Sequence, residues 1–216
     1  MSHYQPFKQQ VLDTCQELAR QGYLIGTGGN VSIRIEGEDA LAITPSSRDY
    51  LTLTLDDICV YAFDKTPLEG ELTPSIETGM HTAVYQNRPD VNAVIHTHQP
   101  FASILSIINK PIPALLEEIT VEIGHVVDVI PYAFSGSPEL VSNVIGQLGN
   151  ACHCYLIQNH GALCLGADMP RALKNAELLE NVAQIYYHAL ATGEEITKLP
   201  QSAIDYFADM RKLRFK

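Results

Sequence analysis

Three histidines and one glutamate have the types and the spacing of ligands for a transition-metal ion. His96 and His98 stand two positions apart in an apolar run typical of a strand, so both imidazoles can face one point. Such a pair alone is more often structural or coincidental. His160 follows a second apolar run, in a loop, and Glu77 lies in the first turns of a predicted helix. Three imidazoles and a carboxylate together suit a divalent ion such as zinc.

A glycine-rich loop and several serines could supply hydrogen-bond donors to an anion. The loop 26–30 has neither a dinucleotide-binding fingerprint nor a P-loop lysine, but glycine loops can expose backbone amides. Ser46 and Ser47 follow a Thr-Pro step, and Ser75 stands near a predicted helix N-terminus. Each feature alone is more typical of a plain turn or cap. Together with Arg48, they predict a phosphate pocket in an otherwise acidic chain.

Mixed strands and helices must position these groups. Alternating or continuous apolar runs predict strands at residues 31–35, 41–44, 56–63, 91–97, 126–132 and 154–157, the last continued by 162–165. Helical spacing and capping signals predict helices at residues 6–20, 74–87, 100–108, 135–148 and 168–193. Thr73 is the predicted cap of the second helix, and residues 111–124 fit either type. The irregular order indicates a layered α/β or α+β fold.

Length and composition limit the function classes. The chain has 216 residues, is 46% hydrophobic and 18% charged, and has a net charge of −11. These values predict one globular domain spanning residues 1–216, and they exclude a disordered tail or a coiled coil. The negative charge argues against binding to nucleic acid or to an acidic membrane. We expect no transmembrane helix, no signal peptide and free thiols at all five cysteines, which together favour the cytoplasm.

Five motifs in fixed order resemble the class II aldolase/adducin family. The resemblance covers roughly residues 7–193 and is specific at the level of the family, much less so for the substrate. The segments that carry it are Gly26-Thr27-Gly28-Gly29-Asn30-Val31-Ser32, Ile43-Thr44-Pro45-Ser46, Pro74-Ser75-Ile76-Glu77, Ala93-Val94-Ile95-His96-Thr97-His98 and Gln158-Asn159-His160-Gly161.

The resemblance implies a fold, a metal site and an assembly. The fold would be a three-layer α/β/α domain around a mostly antiparallel central sheet. The ion would be Zn2+, with Mn2+ or another divalent transition metal as alternatives, and Glu77 would be a ligand or a base. Enzymes of the family are usually homotetramers with active sites at subunit interfaces. The resemblance assigns metal binding to Glu77, His96, His98 and His160, and phosphate binding to Gly28, Asn30, Ser46, Ser47 and Ser75.

The resemblance also implies a reaction. The expected enzyme is a metal-dependent aldolase that cleaves a short (deoxy)ketose 1-phosphate to dihydroxyacetone phosphate and an aldehyde through a metal-stabilised enediolate. A sugar-phosphate 4-epimerase, a dehydratase or a decarboxylase on the same scaffold is the alternative. A non-catalytic adducin-like assembly module is a third reading, but such relatives would be expected to lose the metal histidines.

Several positions depart from the pattern of the family's aldolases. Ile76 replaces a second phosphate-binding serine. Glu117 is the nearest match to a tyrosine that donates a proton, and acid/base work and a solvated helix charge are equally good readings of it. The C-terminal tail, residues 200–216, is expected to reach a neighbouring subunit, where Tyr206, Arg214 and Phe215 are candidate substitutes for a second tyrosine. His81 lies four residues after Glu77, and the sequence favours a packed helix histidine over a group that supports the metal site.

Overall fold

A mixed sheet of nine strands runs through the computed structural model, which describes residues 2–214. The strands are β1 (Asn30–Arg34), β2 (Ala40–Ile43), β3 (Cys59–Ala62), β4 (Pro67–Glu69), β5 (Ala93–Thr97), β6 (Ile112–Pro113), β7 (Val126–Ile130), β8 (Cys154–Ile157) and β9 (Gly161–Gly166). The helices are α1 (Gln5–Arg20), α2 (Thr78–Asn87), α3 (Pro100–Ile107), α4 (Glu117–Glu122), α5 (Pro138–Gln147), α6 (Met169–Ala191) and α7 (Gln201–Arg214). None of these helices is long and apolar enough to cross a bilayer.

The strand order is β4-β3-β2-β1-β5-β9-β8-β7-β6. Neighbouring strands are antiparallel throughout, except for the parallel pair β7 and β8. The central strand β5 lies between β1 and β9, with Asn30 opposite one side of His96 and Leu163 opposite the other. The prediction of a mostly antiparallel central sheet is therefore confirmed.

Helices cover both faces of the sheet and give three layers. Ala93 and Ile95 of β5 belong to a core that also contains apolar side chains of α1, α3 and α6. Val94 belongs to a second core, shared with α2 and α5. Because successive side chains of a strand point to opposite faces, His96 lies on the same face as Val94. The imidazole of His96 therefore lies on the face of the sheet that α2 and α5 cover.

The helix that carries Glu77 begins later than the sequence predicts. Thr73 and Pro74 do not start the helix, because their backbone runs beside Pro45, where Pro45 and Pro74 form an isolated antiparallel bridge. Helix α2 begins at Thr78, and Glu77 is its N-cap residue. The extended backbone at Pro74 therefore replaces the predicted first turn and places Glu77 at the junction of loop and helix.

The segment with His160 also differs from the prediction. Residues 162–165 do not continue the preceding strand, because the chain reverses between β8 and β9 and the two strands pair antiparallel. Asn159 supports this reversal with a left-handed backbone conformation, φ +53°. Asparagine adopts that conformation more readily than most residues. The reversal carries His160 back toward the end of β5. Residues 111–124, which the sequence left open, form β6 and α4.

Gly161 provides a test of how closely the β8–β9 hairpin approaches β5. A Cβ atom at Gly161 would lie 2.3 Å from the carbonyl oxygen of Thr97. Backbone cannot easily give way there, so we expect Gly161→Ala to lower the free energy of unfolding by about 1–3 kcal/mol. Urea unfolding measures this change. Gly146→Ala is the matched control, because Gly146 lies inside α5 with open space around it and the substitution should be neutral or stabilising. Equal midpoints for Gly161→Ala and the wild type would contradict the prediction.

Candidate metal centre and active site

Three imidazoles meet at one end of the sheet. His96 lies in β5, His98 directly follows β5, and His160 lies in the turn between β8 and β9. The Nε2 atom of His96 is 3.0 Å from Nε2 of His98 and 3.2 Å from Nε2 of His160. One ligand atom from each ring lies within 4.8 Å of those of the other two. The structure therefore brings together the three histidines that the sequence predicted as a set.

The orientation of His96 shows which nitrogen atom is available to an ion. Its Nδ1 atom is 2.8 Å from the carbonyl oxygen of Ala162 and must donate to it, since a carbonyl only accepts. In the neutral ring, Nε2 then carries a lone pair that points toward the other two histidines. Burial lowers the pKa of both His98 and His160 to about 4, so these two rings are neutral near pH 7. Neutral imidazole is the form that binds a metal ion.

Two glycines leave room for the His98 ring. A Cβ atom at Gly28 would lie 2.6 Å from Nδ1 of His98, and one at Gly161 would lie 2.6 Å from Cδ2 of the same ring. His98 is therefore held between two stretches of backbone that have no side chain at the point of contact. Gly28, which the resemblance assigned to phosphate, is at the same time a packing requirement of the histidine cluster.

Glu77 completes the cluster. Its Oε2 atom accepts a hydrogen bond of 2.8 Å from Nδ2 of Asn30 and lies 3.3 Å from Nε2 of His96. Its Oε1 atom lies 3.4 Å from Nε2 of His160. Burial acts to raise the pKa of Glu77, but His96, His160 and the hydrogen bond from Asn30 outweigh it and hold the pKa below its usual value. The carboxylate is therefore ionised beside the histidines.

The donor set fits a divalent cation. Oε1 of Glu77 is buried and has no hydrogen-bond partner among residues 2–214. Lone pairs of imidazole nitrogen atoms about 3 Å apart repel one another, and they also repel the unpaired, buried carboxylate oxygen nearby. A positive charge between these atoms removes the repulsion. Three histidine nitrogens and one carboxylate are typical ligands of zinc and related ions. Three histidines with converging Nε2 atoms, and a carboxylate at their edge, could thus hold such an ion.

Two of the serines predicted for phosphate lie beside this cluster. The chain around Ser46 runs next to the chain around Ser75, because the amide of Ser46 donates to Thr73 at 2.9 Å and the amide of Ser75 donates to Thr44 at 3.1 Å. The Oγ atom of Ser75 also accepts a hydrogen bond of 3.2 Å from the amide of Glu77. The cross-bridged loops therefore connect the serines to the carboxylate of the cluster.

The serines can offer hydroxyl groups, rather than amides, to an anion. The amide of Gly28 already donates to the carbonyl oxygen of Ile25 at 3.0 Å, and the amides of Ser46 and Ser75 are paired as described. Ser47 is exposed, has a left-handed backbone with φ +57°, and its Oγ lies 3.4 Å from Oγ of Ser46. The hydroxyl groups of Ser46 and Ser47 are therefore the neighbouring donors that this loop can offer to an anion.

Other predicted residues are not brought to the cluster. Glu117 is exposed in the first turn of α4, and within the described chain it makes no hydrogen bond or ion pair with the histidines. Arg48 is exposed as well. Tyr206 is 62% exposed on α7, and Arg214 is the last residue of that helix. Phe215 lies outside the described residues.

Sequence reasoning missed two contacts of the site. The hydroxyl of Ser135 lies 3.4 Å from Nε2 of His160, and the carbonyl of Ala162 orients His96. A main-chain carbonyl leaves no signal in residue types. The Ser-Gly-Ser segment at 135–137 can be recognised in the sequence, but there it predicts only the start of a helix. Helix α5 does begin just after it, with Ser137 as the cap.

The fold and the site define a class: a three-layer α/β/α protein with a histidine cluster that could hold a metal ion at one end of a mostly antiparallel sheet. The chain belongs to the class II aldolase and adducin family. Residues 9–187 match the family model described as the class II aldolase and adducin N-terminal domain. The family is dependent on divalent metal ions, in agreement with the histidine cluster.

Individual relatives support the aldolase branch of this family. The chain is 38% identical, over 91% of its length and 89% of the relative's, to the L-fuculose phosphate aldolase of Escherichia coli O6:H1. It is 30% identical, over 93% of both chains, to the 5-deoxy-D-ribulose 1-phosphate aldolase of Bacillus thuringiensis serovar kurstaki. A solved structure of an L-fuculose 1-phosphate aldolase superimposes with a TM-score of 0.89, at 32% identity and over 98% of both chains.

The histidine cluster predicts how the protein responds to metal. We expect added Zn2+ or Mn2+ to raise the melting temperature of metal-free protein, because the ion binds the folded state alone. His160→Ala removes one of three imidazoles and should abolish most of this gain and of the bound metal. His125→Ala is the control, since His125 is exposed and is not part of the cluster. Metal content measured on purified protein would contradict the prediction if His160→Ala matched the wild type.

Buried histidines away from the ligands predict a pH dependence of stability. His153 donates from Nδ1 to the carbonyl of Glu122 at 3.0 Å, and burial lowers the pKa of His153 to about 4. In the unfolded chain a histidine titrates near 6.5. Between pH 4 and 6.5 the unfolded state binds more protons at His153 than the folded state does. The contribution of His153 to the free energy of unfolding is therefore full above about pH 6.5 and is lost as the pH falls to 4.

The measurement is urea unfolding of metal-free protein between pH 4 and 7. We expect His153→Gln to reduce the proton uptake on unfolding by up to about one proton. His3→Gln is the matched control, because the His3 side chain is 64% exposed. An unchanged pH slope for His153→Gln would show that this histidine is not held neutral by the fold.

Proposed function

We propose that this protein is a divalent-metal-dependent aldolase that cleaves a short (deoxy)ketose 1-phosphate to dihydroxyacetone phosphate and an aldehyde. The observation that carries the proposal is the meeting of three imidazole Nε2 atoms and an ionised Glu77 beside serine hydroxyls. The family relationship and the named relatives support the same chemistry. We propose Zn2+ as the ion, because its preferred ligands match this donor set, with Mn2+ as the alternative.

His96, His98 and His160 would hold the ion, with Glu77 at its edge. A divalent cation bound there supplies Lewis-acid polarisation of a substrate carbonyl and its neighbouring hydroxyl. The backbone contacts of His96 and His98 keep the rings in place, so the chain need not reorganise when a substrate arrives. The cluster is nearly closed to solvent, since the side chains of His96, Glu77 and His160 are 0%, 5% and 13% exposed.

Glu77 is the proposed carrier of a proton. In the cleavage direction the C3–C4 bond of the ketose breaks, the C4 hydroxyl loses its proton as the aldehyde forms, and a proton is added at C3 of the three-carbon product. Glu77 would add and remove this C3 proton. For the C4 hydroxyl proton we propose Glu117 or a residue of a neighbouring subunit as the base.

The phosphate of the substrate would lie beside the loops that carry Ser46, Ser47 and Ser75. Ser46, Ser47 and Ser75 have hydroxyl donors there, and Gly28 leaves space next to His98. Asn30 was also predicted to bind phosphate, but its Nδ2 group donates to Glu77. The second N–H of the same Nδ2 group is still a donor for a phosphate oxygen. We therefore propose that the three serines and Asn30 bind the phosphate, and that Asn30 also donates to Glu77.

The experiment that tests the function is product analysis with a panel of ketose 1-phosphates. The panel contains fuculose, rhamnulose and 5-deoxyribulose phosphates, each with and without a chelator. We expect release of dihydroxyacetone phosphate that the chelator abolishes and that added Zn2+ or Mn2+ restores. If metal-loaded protein released none from any ketose, aldolase chemistry would be refuted, and epimerase, dehydratase or decarboxylase products would be sought next.

Glu77→Gln separates metal binding from proton transfer. The amide keeps one oxygen but cannot carry a proton, so we expect the variant to retain part of the metal and lose about 100-fold or more in turnover. Exchange of the C3 hydrogen of dihydroxyacetone phosphate with deuterated water, measured by NMR, should be lost in parallel. Normal exchange in a variant that has lost cleavage would assign the C3 proton to another residue.

We further propose a homotetramer with active sites at the subunit interfaces. Ile76 next to Glu77 is 64% exposed, and Phe134 next to Ser135 is 74% exposed, so two large apolar side chains are exposed beside residues of the site. A neighbouring subunit would cover them. Sedimentation equilibrium should give four copies, and Phe134→Ser should shift the mass toward monomer with loss of turnover. A monomeric wild type with full activity would refute this assembly.

A further inference from the structure

The hydroxyl group of Ser135 is an exposed polar group in contact with the histidine cluster. Its Oγ atom lies 3.4 Å from Nε2 of His160. The same Nε2 atom is 3.2 Å from Nε2 of His96 and 3.4 Å from Oε1 of Glu77. His96 and Glu77 are buried, whereas Ser135 is exposed. Of these three neighbours of Nε2, the hydroxyl is thus the one that a molecule entering from solvent can contact.

Residues 134–137 form a tight turn that holds Ser135 in this position. The amide of the fourth residue of the turn donates to the carbonyl oxygen of the first at 3.0 Å, and Ser135 is the second residue. Gly136 has φ +74°, which the third position of a type II turn requires. A Cβ atom at Gly136 would lie 2.9 Å from the carbonyl oxygen of Ile76. The turn therefore packs on the backbone just before the carboxylate residue of the site.

The two serines of this turn have different partners. Ser137 caps α5, because its Oγ atom accepts a hydrogen bond of 3.1 Å from the amide of Leu140. The side chain of Ser135 makes no such contact with the helix, and His160 is its hydrogen-bond partner in the part of the chain that the structure describes. The turn thus uses one hydroxyl to start α5 and directs the other to the cluster.

An ion at the cluster would change what this hydroxyl can bind. A neutral imidazole nitrogen atom has one lone pair, and coordination of an ion by Nε2 of His160 uses that lone pair. The proton of the Ser135 hydroxyl then has no acceptor at Nε2. It is available to an oxygen atom of a molecule that binds beside His160. A serine hydroxyl is not among the typical ligands of zinc, so we count it as a hydrogen-bond donor and not as a further ligand.

We propose that Ser135 is a further catalytic residue, whose hydroxyl donates a hydrogen bond to a substrate oxygen atom on which negative charge develops. This inference rests on the proposed function, since it names a contact of the substrate at that site. In the cleavage of a ketose 1-phosphate, negative charge develops on the oxygen atoms of the enediolate. A donor held in place by a tight turn stabilises this charge without reorganisation. The ketose has less charge on the same atoms, so the contact acts mainly on turnover.

Two substitutions of Ser135 separate a hydrogen-bond donor from a side chain that only fills space. Ser135→Ala removes the hydroxyl at an exposed position, where we expect little effect on folding. Ser135→Thr keeps the hydroxyl and adds one methyl group. Ser142→Ala is the matched control, because Ser142 is exposed on α5 and, among residues 2–214, makes no hydrogen bond with the histidines.

The first readout is the Zn2+ affinity of metal-free protein, measured by competition with a chromophoric chelator. Because the hydroxyl is proposed to contact the substrate and not the ion, we expect all three variants to stay within about 3-fold of the wild type, as is usual for exposed substitutions. A loss of Zn2+ affinity in Ser135→Ala comparable to that in His160→Ala would make the hydroxyl a metal ligand and would overturn the proposal.

The second readout is the binding of acetohydroxamate to zinc-loaded protein, measured by calorimetry. This small anion presents two adjacent oxygen atoms to a metal ion, as an enediolate does. We expect Ser135→Ala to bind it about 10-fold more weakly, which corresponds to one hydrogen bond to a charged group. Ser135→Thr and Ser142→Ala should bind it as the wild type does. Equal affinities of Ser135→Ala and the wild type, or no binding to the wild type, would overturn the proposal.

The third readout is turnover of a ketose 1-phosphate that the wild type cleaves. We expect Ser135→Ala to lower kcat about 10-fold with KM nearly unchanged, and Ser135→Thr to retain most of kcat. Normal kcat in Ser135→Ala would refute the catalytic role and leave the proposed function intact. The first two readouts need no sugar phosphate. Weaker hydroxamate binding by Ser135→Ala, together with no cleavage of any ketose by the wild type, would therefore refute the proposed function and support the Ser135 contact.

Discussion

The rest of the structure depends on one constraint: three imidazoles and an ionised carboxylate must meet within a few ångströms at a site that is nearly closed to solvent. Such a group of lone pairs is unstable on its own and becomes favourable only around a cation. The protein meets the constraint in part through backbone contacts that fix two of the rings. The carbonyl of Ala162 orients His96, and the backbone at Gly28 and Gly161 confines His98.

The central sheet supplies the rigid frame for this arrangement. β5 lies between β1 and β9, so the ends of three neighbouring strands bring Asn30, His96 and the β8–β9 turn to one edge. Two further features complete the set: the chain reversal at Asn159 and the isolated bridge between Pro45 and Pro74. Residues in irregular segments thus provide most of the polar groups, and regular strands determine where those segments lie.

The sequence predicted most of the elements because their signals are local. Strand and helix positions follow from apolar spacing, and α6 is capped by Asp168, as its sequence indicated. Helix α5 begins at Pro138, within the Ser-Gly-Ser-Pro segment that predicted its start. The predicted start of α2 was wrong, because pairing of Pro74 with a distant segment overrides the local preference for a helix. The prediction that residues 162–165 continue the preceding strand was wrong for a similar reason. An apolar run does not show whether the chain stays extended or reverses its direction.

The family, the three-layer class and the identity of the clustered residues can be predicted from residue types and motif order alone. How these residues share their hydrogen bonds depends on the tertiary fold. Asn30 is paired with Glu77, the amides of Gly28, Ser46 and Ser75 are paired with carbonyls, and His81 is connected through Ser32 to Tyr85. Partners of this kind come from segments far apart in sequence, and their choice depends on packing and burial that no local pattern records.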